Sequence, residues 1–303
     1  MSTPPVRLFA LEYAYDGSGF SGWQIQPGLR TVQGEIRRWL CRILDQPVVL
    51  TGAGRTDTGV HATGSLASFT ARTAMEPARL LKALQQVLDE DMLVYRVHEI
   101  EDMRFSARFS AQAREYRYRL WRGADPFARH RAWCLPWTLD TDRMHQALTA
   151  LDGPRDCRGF CVTRSLPPSA ISVFERARLE EDGSALELVL RADRFLHSQV
   201  RSIAGTLVEI GRGAFPPDRI EVILSGGRRD LCGPLAPPQG LHLSRVLYPR
   251  FATGVRPGQT DGSGAPALPD TVHWAGVSRS PRQDGSHYEE ETPIPGGDAA
   301  PTG

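Results

Sequence analysis

The chain has 303 residues, enough for two domains of ordinary size, and at 41% hydrophobic and 23% charged it has the make-up of a globular protein. It holds no run of 18 apolar residues, Met1 to Arg7 lacks an apolar signal core, and Cys41, Cys134, Cys157, Cys161 and Cys232 are odd in number and scattered. A membrane span, secretion, a disulfide scaffold and a zinc site are therefore not expected, and a cytoplasmic location is.

Net charge is +1, unevenly spread. From Gly254 onward three Arg face seven Asp and Glu, a net of −4, which leaves 33 basic against 28 acidic residues before it, +5. That is mild support for a polyanionic partner. Lys82 is the sole lysine. An arginine excess fits phosphate recognition by planar forks, but a G+C-rich genome accounts for the total as well.

In chain order, Leu11, Tyr13 and Tyr15 share one face of a strand predicted over residues 8–15. Asp16-Gly17-Ser18-Gly19 turns the chain, and Ser21-Gly22-Trp23-Gln24 follows as a loop. Val32, Ile36, Trp39, Leu40 and Ile43 form one helical stripe over residues 31–44, with Thr31 as N-cap. A strand ending near Leu50 leads into a glycine-rich loop, Gly52 to Ala62, and a strand over residues 65–70 leaves it. Pro77 opens a helix carried by Leu80, Leu81, Leu84, Val87 and Leu88, and residues 92–100 return to strand. The order β-α-β-β-α-β is the ferredoxin-like unit.

Residues 111–252 repeat it. Residues 114–121 alternate, with Arg114, Tyr116, Tyr118 and Leu120 on one face and Glu115, Arg117 and Arg119 on the other. A helix over 142–151, strands over 171–179 and 185–192, a helix over 195–211, a short helix over 220–224 and a strand over 241–248 complete it. The fold class is α+β, with two similar halves (1–110 and 111–252) that point to an internal duplication. From Thr253 to Gly303 the chain turns Gly- and Pro-rich without apolar periodicity, and a disordered acidic tail is predicted.

Three pieces carry chemistry. In the loop, Asp57 is the single carboxylate, two residues from Arg55. A glycine-rich loop on a rigid scaffold suits a catalytic group, and a tight turn with Asp57 as its stabilising residue is an equal reading. Arg114-Glu115-Tyr116-Arg117-Tyr118-Arg119 interleaves aromatic and basic residues, so a tyrosine could stack on a base while arginines hold phosphates. Core packing is the competing reading, preferred for Tyr118. In Phe195-Leu196-His197-Ser198-Gln199-Val200-Arg201, Arg201 falls four residues after His197 at a helix start, and by itself reads as a solvated surface arginine.

Together these pieces resemble the TruA family of tRNA pseudouridine synthases, over residues 8–248. The markers are Tyr15-Asp16-Gly17, Gly22-Trp23-Gln24, Val32-Gln33, Gly54-Arg55-Thr56-Asp57-Thr58-Gly59-Val60-His61, Phe105-Ser106-Ala107-Arg108, Arg114-Glu115-Tyr116-Arg117-Tyr118, and Val200-Arg201 followed by Gly205. The resemblance implies an isomerase that turns uridine into pseudouridine at positions 38, 39 and 40 of the tRNA anticodon stem-loop, without metal or organic cofactor. It implies two ferredoxin-like halves with joined antiparallel sheets, RNA in a basic cleft between them, and a homodimer. It makes Asp57 the catalytic aspartate, nucleophile or base, and Arg201 its paired arginine. Arg55 becomes the arginine that takes the flipped uridine's place, and Tyr116 the tyrosine that stacks on the uracil. A base must leave its stack before chemistry reaches it.

Some positions depart from the family pattern. Ser169-Ala170 replaces an Arg-Thr pair, an aromatic usual near Cys157 is absent although Phe160 is present, and Gln85 stands where asparagine is common. These bear on RNA fit rather than on the three pieces. Two other readings stand beside this one: an RNA-binding protein of the same fold without catalysis, and a hydrolase with Asp57 and His61 as metal ligands.

Overall fold

The structure, a computed structural model, describes residues 3–249, 251–253 and 271–272. The first half runs β1 (Val6–Tyr15), α1 (Val32–Leu44), β2 (Thr51–Gly52), β3 (His61–Arg72), α2 (Pro77–Val87) and β4 (Met92–Ile100). β1 is buried on both faces, with Phe9, Leu11 and Tyr13 on one and Ala10 and Glu12 on the other. Both of its hydrogen-bonding edges are also paired, since β1 lies between β3 and β4, antiparallel to each. α1 starts where expected: the Thr31 side chain accepts from the Gly34 amide, and Val32, Ile36 and Leu40 are buried. Gln85 of α2 donates to the Val94 carbonyl and ties the helix to β4.

The second half runs β5 (Ala113–Arg122), β6 (Trp133–Leu135), α3 (Thr141–Leu148), β7 (Gly153–Asp156), β8 (Ile171–Asp182), β9 (Ala185–Ala192), α4 (Gln199–Gly211), α5 (Arg219–Gly226) and β10 (Leu241–Tyr248). β11 (Phe251–Ala252) folds back on β10, and β12 (Thr271–Val272) runs parallel to β4. The result is a mixed α+β fold on one large, mostly antiparallel sheet, ordered β12-β4-β1-β3-β10-β5-β9-β8-β7. The neighbours β4-β1-β3-β2 and β10-β5-β9-β8 are antiparallel throughout. β10 sews the halves together, antiparallel to β5 and parallel to β3 through His242 opposite His61 and Leu243 opposite Ala62. One apolar core runs through both halves.

Three boundaries differ from expectation. The strand expected to end near Leu50 is only Thr51–Gly52, paired with Ser68 and Ala67 of β3. The helix expected from Phe195 begins at Gln199, since Ser198 has φ 59° and cannot continue a right-handed helix. Thr253, placed in the tail by composition, is wholly buried. Its Oγ1 accepts from the Val246 amide and donates to the Gly64 carbonyl, satisfying one backbone group of β10 and one of β3. Thr271 and Val272 likewise pair with β4. The rest of the expected tail lies outside the described residues.

Candidate active site

The loop between β2 and β3 is fixed from several directions. The Trp23 amide donates to the Thr56 carbonyl, and the Tyr15 hydroxyl lies 2.7 Å from Thr56 Oγ1. Thus the markers at Tyr15 and Gly22-Trp23-Gln24 serve as the loop's scaffold. Asp57 opens a turn closed by the Val60 amide on its carbonyl, and Gly59, at φ 76°, takes the left-handed position that a type II turn requires. Arg114 clamps the loop from β5. Its guanidinium donates to the carbonyls of Ala53, Arg108 and Asp193 at 2.7 to 3.2 Å.

At the tip, the Asp57 side chain is 30% exposed and faces the start of α4. Arg201 Nη1 donates to Asp57 Oδ2 at 3.0 Å, and Ser198 Oγ donates to the same oxygen at 3.2 Å. His197 Nε2 stands 3.5 Å from Oδ1. Arg201 is aimed by a second contact, Nε to the Ala236 carbonyl at 2.8 Å. It is therefore held in place by the protein, and its reading as a free surface arginine is set aside.

Tyr116 lies on the same wall, 8% exposed, with the Phe195 ring edge-on at 5.1 Å. A methyl placed on Gly54 would sit 3.8 Å from the Tyr116 hydroxyl, so the phenol points at the loop. Burial is the main cause that pushes this phenol up to about 12, with Arg114 opposing and Asp57 adding to the rise. At neutral pH it is a phenol that can donate. Tyr118 is core: fully buried, its hydroxyl bonded to the Pro237 carbonyl and its ring edge-on to Trp133. Arg55 is exposed on the loop beside Asp57.

The arginines interleaved along β5 do not wait for phosphates. Arg114 is spent on carbonyls, Arg117 pairs with Glu180 and Glu187, and Arg119 pairs with Glu187. On that face Glu115 is wholly buried. Burial alone would push its carboxyl up, but the Arg191 hydrogen bond and charge, with Arg245 and Arg117 behind it, bring it below the usual range.

His61 is engaged away from Asp57. Its Nδ1 accepts from the Gly17 amide at 3.0 Å, and its ring stacks on His242 with centroids 4.7 Å apart. Among the described residues no three His, Cys, Asp or Glu side chains gather as a metal site, and no helix is long and apolar enough to cross a membrane. Sequence reasoning missed His197 and Ser198 as neighbours of Asp57. The one available signal was their place just ahead of Arg201.

An ion-paired carboxylate on a glycine-rich loop, a tyrosine pointing at that loop and an exposed arginine next to it are the kinds of group that chemistry on a nucleobase calls for. The comparisons with known proteins narrow that class. The family pattern described as tRNA pseudouridine synthase matches residues 12–110 and 147–249. A protein named tRNA pseudouridine synthase A from Geobacillus kaustophilus is 42% identical over 238 residues, 78% of this chain and 92% of that protein. Proteins of the same name from Exiguobacterium sibiricum and Rhodopseudomonas palustris are 35% and 37% identical, each over 82% of this chain and 100% of their own length. The chain belongs to the tRNA pseudouridine synthase family, whose members are isomerases. Among solved structures, an archaeal box H/ACA sRNP Nop10-Cbf5 complex covers 77% of this chain and 59% of its own at 10% identity and a TM-score of 0.30, too slight a likeness to add to the argument.

Proposed function

We propose that this protein converts uridine to pseudouridine in the tRNA anticodon stem-loop, at positions 38, 39 and 40, with Asp57 as the catalytic carboxylate. The observation that carries the reading is the Asp57–Arg201 pair on the glycine-rich loop, with the Tyr116 phenol pointing at the same loop. The reaction breaks N1–C1′, turns the uracil while it stays bound, and joins C5 to C1′. The C5 proton leaves and N1 gains one, so no oxidant or reductant enters.

Asp57 acts on the sugar, by adding to it or by taking the C2′ proton. Arg201 sets a fixed positive charge opposite the carboxylate. Tyr116, still protonated at neutral pH, packs against the uracil and handles a proton at its hydroxyl. Arg55, exposed at the loop, takes the place that the flipped uridine leaves in the RNA. The neighbour orders β4-β1-β3-β2 and β10-β5-β9-β8 support two ferredoxin-like halves, 1–110 and 111–252, since each places its four strands in the order 4-1-3-2. The protein works as a cytoplasmic homodimer.

The test is tritium release from tRNA labelled at uridine C5, with pseudouridine mapped in the product. Release from wild type and none from Asp57→Asn is expected. Tight tRNA binding without release from wild type would instead favour a binding protein.

A further inference from the structure

Asp57 offers its two oxygens to different groups. Oδ2 takes Arg201 and Ser198, while Oδ1 faces Nε2 of His197 at 3.5 Å. The other ring nitrogen, Nδ1, is 2.9 Å from Ser165 Oγ. A carboxylate only accepts, so a neutral ring suits both neighbours in one tautomer. That tautomer would put the proton on Nε2, the nitrogen facing Asp57, with Nδ1 accepting from the Ser165 hydroxyl. Ser165 ends a one-turn 3-10 helix, Thr163–Ser165, on an exposed loop. The same loop is tied to the same residue by its backbone, the Val162 amide donating to the His197 carbonyl at 3.3 Å. Ser198, at φ 59°, bends the chain just ahead of α4. A left-handed backbone at a residue other than glycine is strained, and here it stands where two consecutive side chains meet one carboxylate.

We propose that His197 is a positioning residue for Asp57, held in its working tautomer by Ser165, so that the loop carrying Ser165 is coupled to the catalytic carboxylate. The inference rests on Asp57 carrying the chemistry. The ring does not need to touch substrate. It restrains Oδ1 while Arg201 and Ser198 restrain Oδ2, so the carboxylate keeps one orientation. A small misplacement of a reacting group can cost roughly 100-fold in rate.

The imidazole can be tested in halves. The amide nitrogen of Gln reaches about as far as Nε2, and that of Asn only as far as Nδ1. In single turnover at saturating transcribed tRNA, His197→Asn is expected to slow tritium release by roughly 10–100-fold, with tRNA Kd little changed. His197→Gln is expected to recover most of the rate. Ser165→Ala should slow the wild-type enzyme several-fold and have no further effect in the His197→Gln background, where no tautomer remains to be set. A wild-type rate in His197→Asn, a His197→Gln as slow as His197→Asn, or a loss confined to Kd would each overturn the proposal. Asp57→Asn is measured alongside. Turnover in that variant overturns the underlying reading, whereas an inactive Asp57→Asn beside a fully active His197→Asn overturns this proposal alone.

Discussion

Arg201 meets Asp57 across 144 residues of chain, Nη1 to Oδ2 at 3.0 Å, while its Nε is held by the Ala236 carbonyl at 2.8 Å. One planar guanidinium serves both contacts with different nitrogens, which an ammonium on a flexible stem cannot copy. Arg201→Lys is therefore expected to lose most activity despite keeping the charge. The Asp57 side chain is 30% exposed, so the loss in stability should be near that of a surface pair, about 1 kcal/mol. Tritium release and urea melts on Arg201→Lys check the two parts, and near-normal turnover in the variant would remove Arg201 from the mechanism.

Two glycines of the family markers differ in what they do. A Cβ on Gly17 would lie 2.1 Å from the Val60 carbonyl oxygen, inside the scaffold. A Cβ on Gly54 would meet Leu243 Cδ2 at 3.7 Å and the Tyr116 hydroxyl at 3.8 Å, both ordinary contacts. Gly17→Ala is expected to destabilise the fold by about 1–3 kcal/mol. Gly54→Ala is expected to melt like wild type but to lose turnover, because its methyl occupies the space between the loop and Tyr116. A Gly54→Ala enzyme with full activity would show that the uracil binds elsewhere.

The stacked histidines predict an acid-sensitive joint between the halves. His242 is 3% exposed, with Nε2 2.9 Å from the Arg131 carbonyl oxygen. Burial, then the nearby charge of Arg119, lowers it to about 3, and burial also lowers His61 against the pull of Asp16. An unfolded histidine titrates near 6.5. Between that pH and about 3 the unfolded chain binds a proton at His242 that the folded chain refuses. Stability is thus full above pH 6.5 and falls as pH drops, by up to about 1.4 kcal/mol per unit for one such group. Urea melts from pH 7 to pH 5 should show this slope, and His242→Phe, which keeps a ring in the stack, should flatten it. An unchanged slope in His242→Phe would assign the sensitivity to other groups.

Much of this was legible where the signal is local. The alternation along β5 separated Tyr116 from Glu115 without error, and Thr31 and the α1 stripe fell where their spacing placed them. What was hidden depends on pairing between distant segments. Arg117 and Arg119 looked available to phosphate until β8 and β9 brought Glu180 and Glu187 beside them. The His61–His242 stack needs β10 to lie parallel to β3, which no periodicity reveals. Thr253 read as tail because one buried hydroxyl leaves no pattern in composition. His197 and Ser198 reach Asp57 through a left-handed turn at a serine, where a helix was the expectation from sequence.

Tyr116 has to be tested by a substitution that spares its packing. Its ring is 8% exposed and edge-on to Phe195, so Tyr116→Ala would open a cavity and cost about 3–5 kcal/mol. A slow Ala variant would then mix packing loss with catalysis. Tyr116→Phe keeps the ring, its packing and its face toward a base, and removes the hydroxyl that points at the loop. The phenol lies at about 12, so at neutral pH the Phe variant loses a protonated donor and no charge. If the hydroxyl moves the C5 proton, Tyr116→Phe should melt within about 0.5 kcal/mol of wild type, bind tRNA normally, and slow single turnover by roughly 10²–10⁴-fold. If only the ring matters, Tyr116→Phe should turn over at the wild-type rate. Tyr118 gives the control: its hydroxyl is bonded to the Pro237 carbonyl, so Tyr118→Phe should lower stability by about 1 kcal/mol and slow turnover far less than loss of a proton-transfer group would. A slow Tyr118→Phe beside a fast Tyr116→Phe would reverse the two assignments.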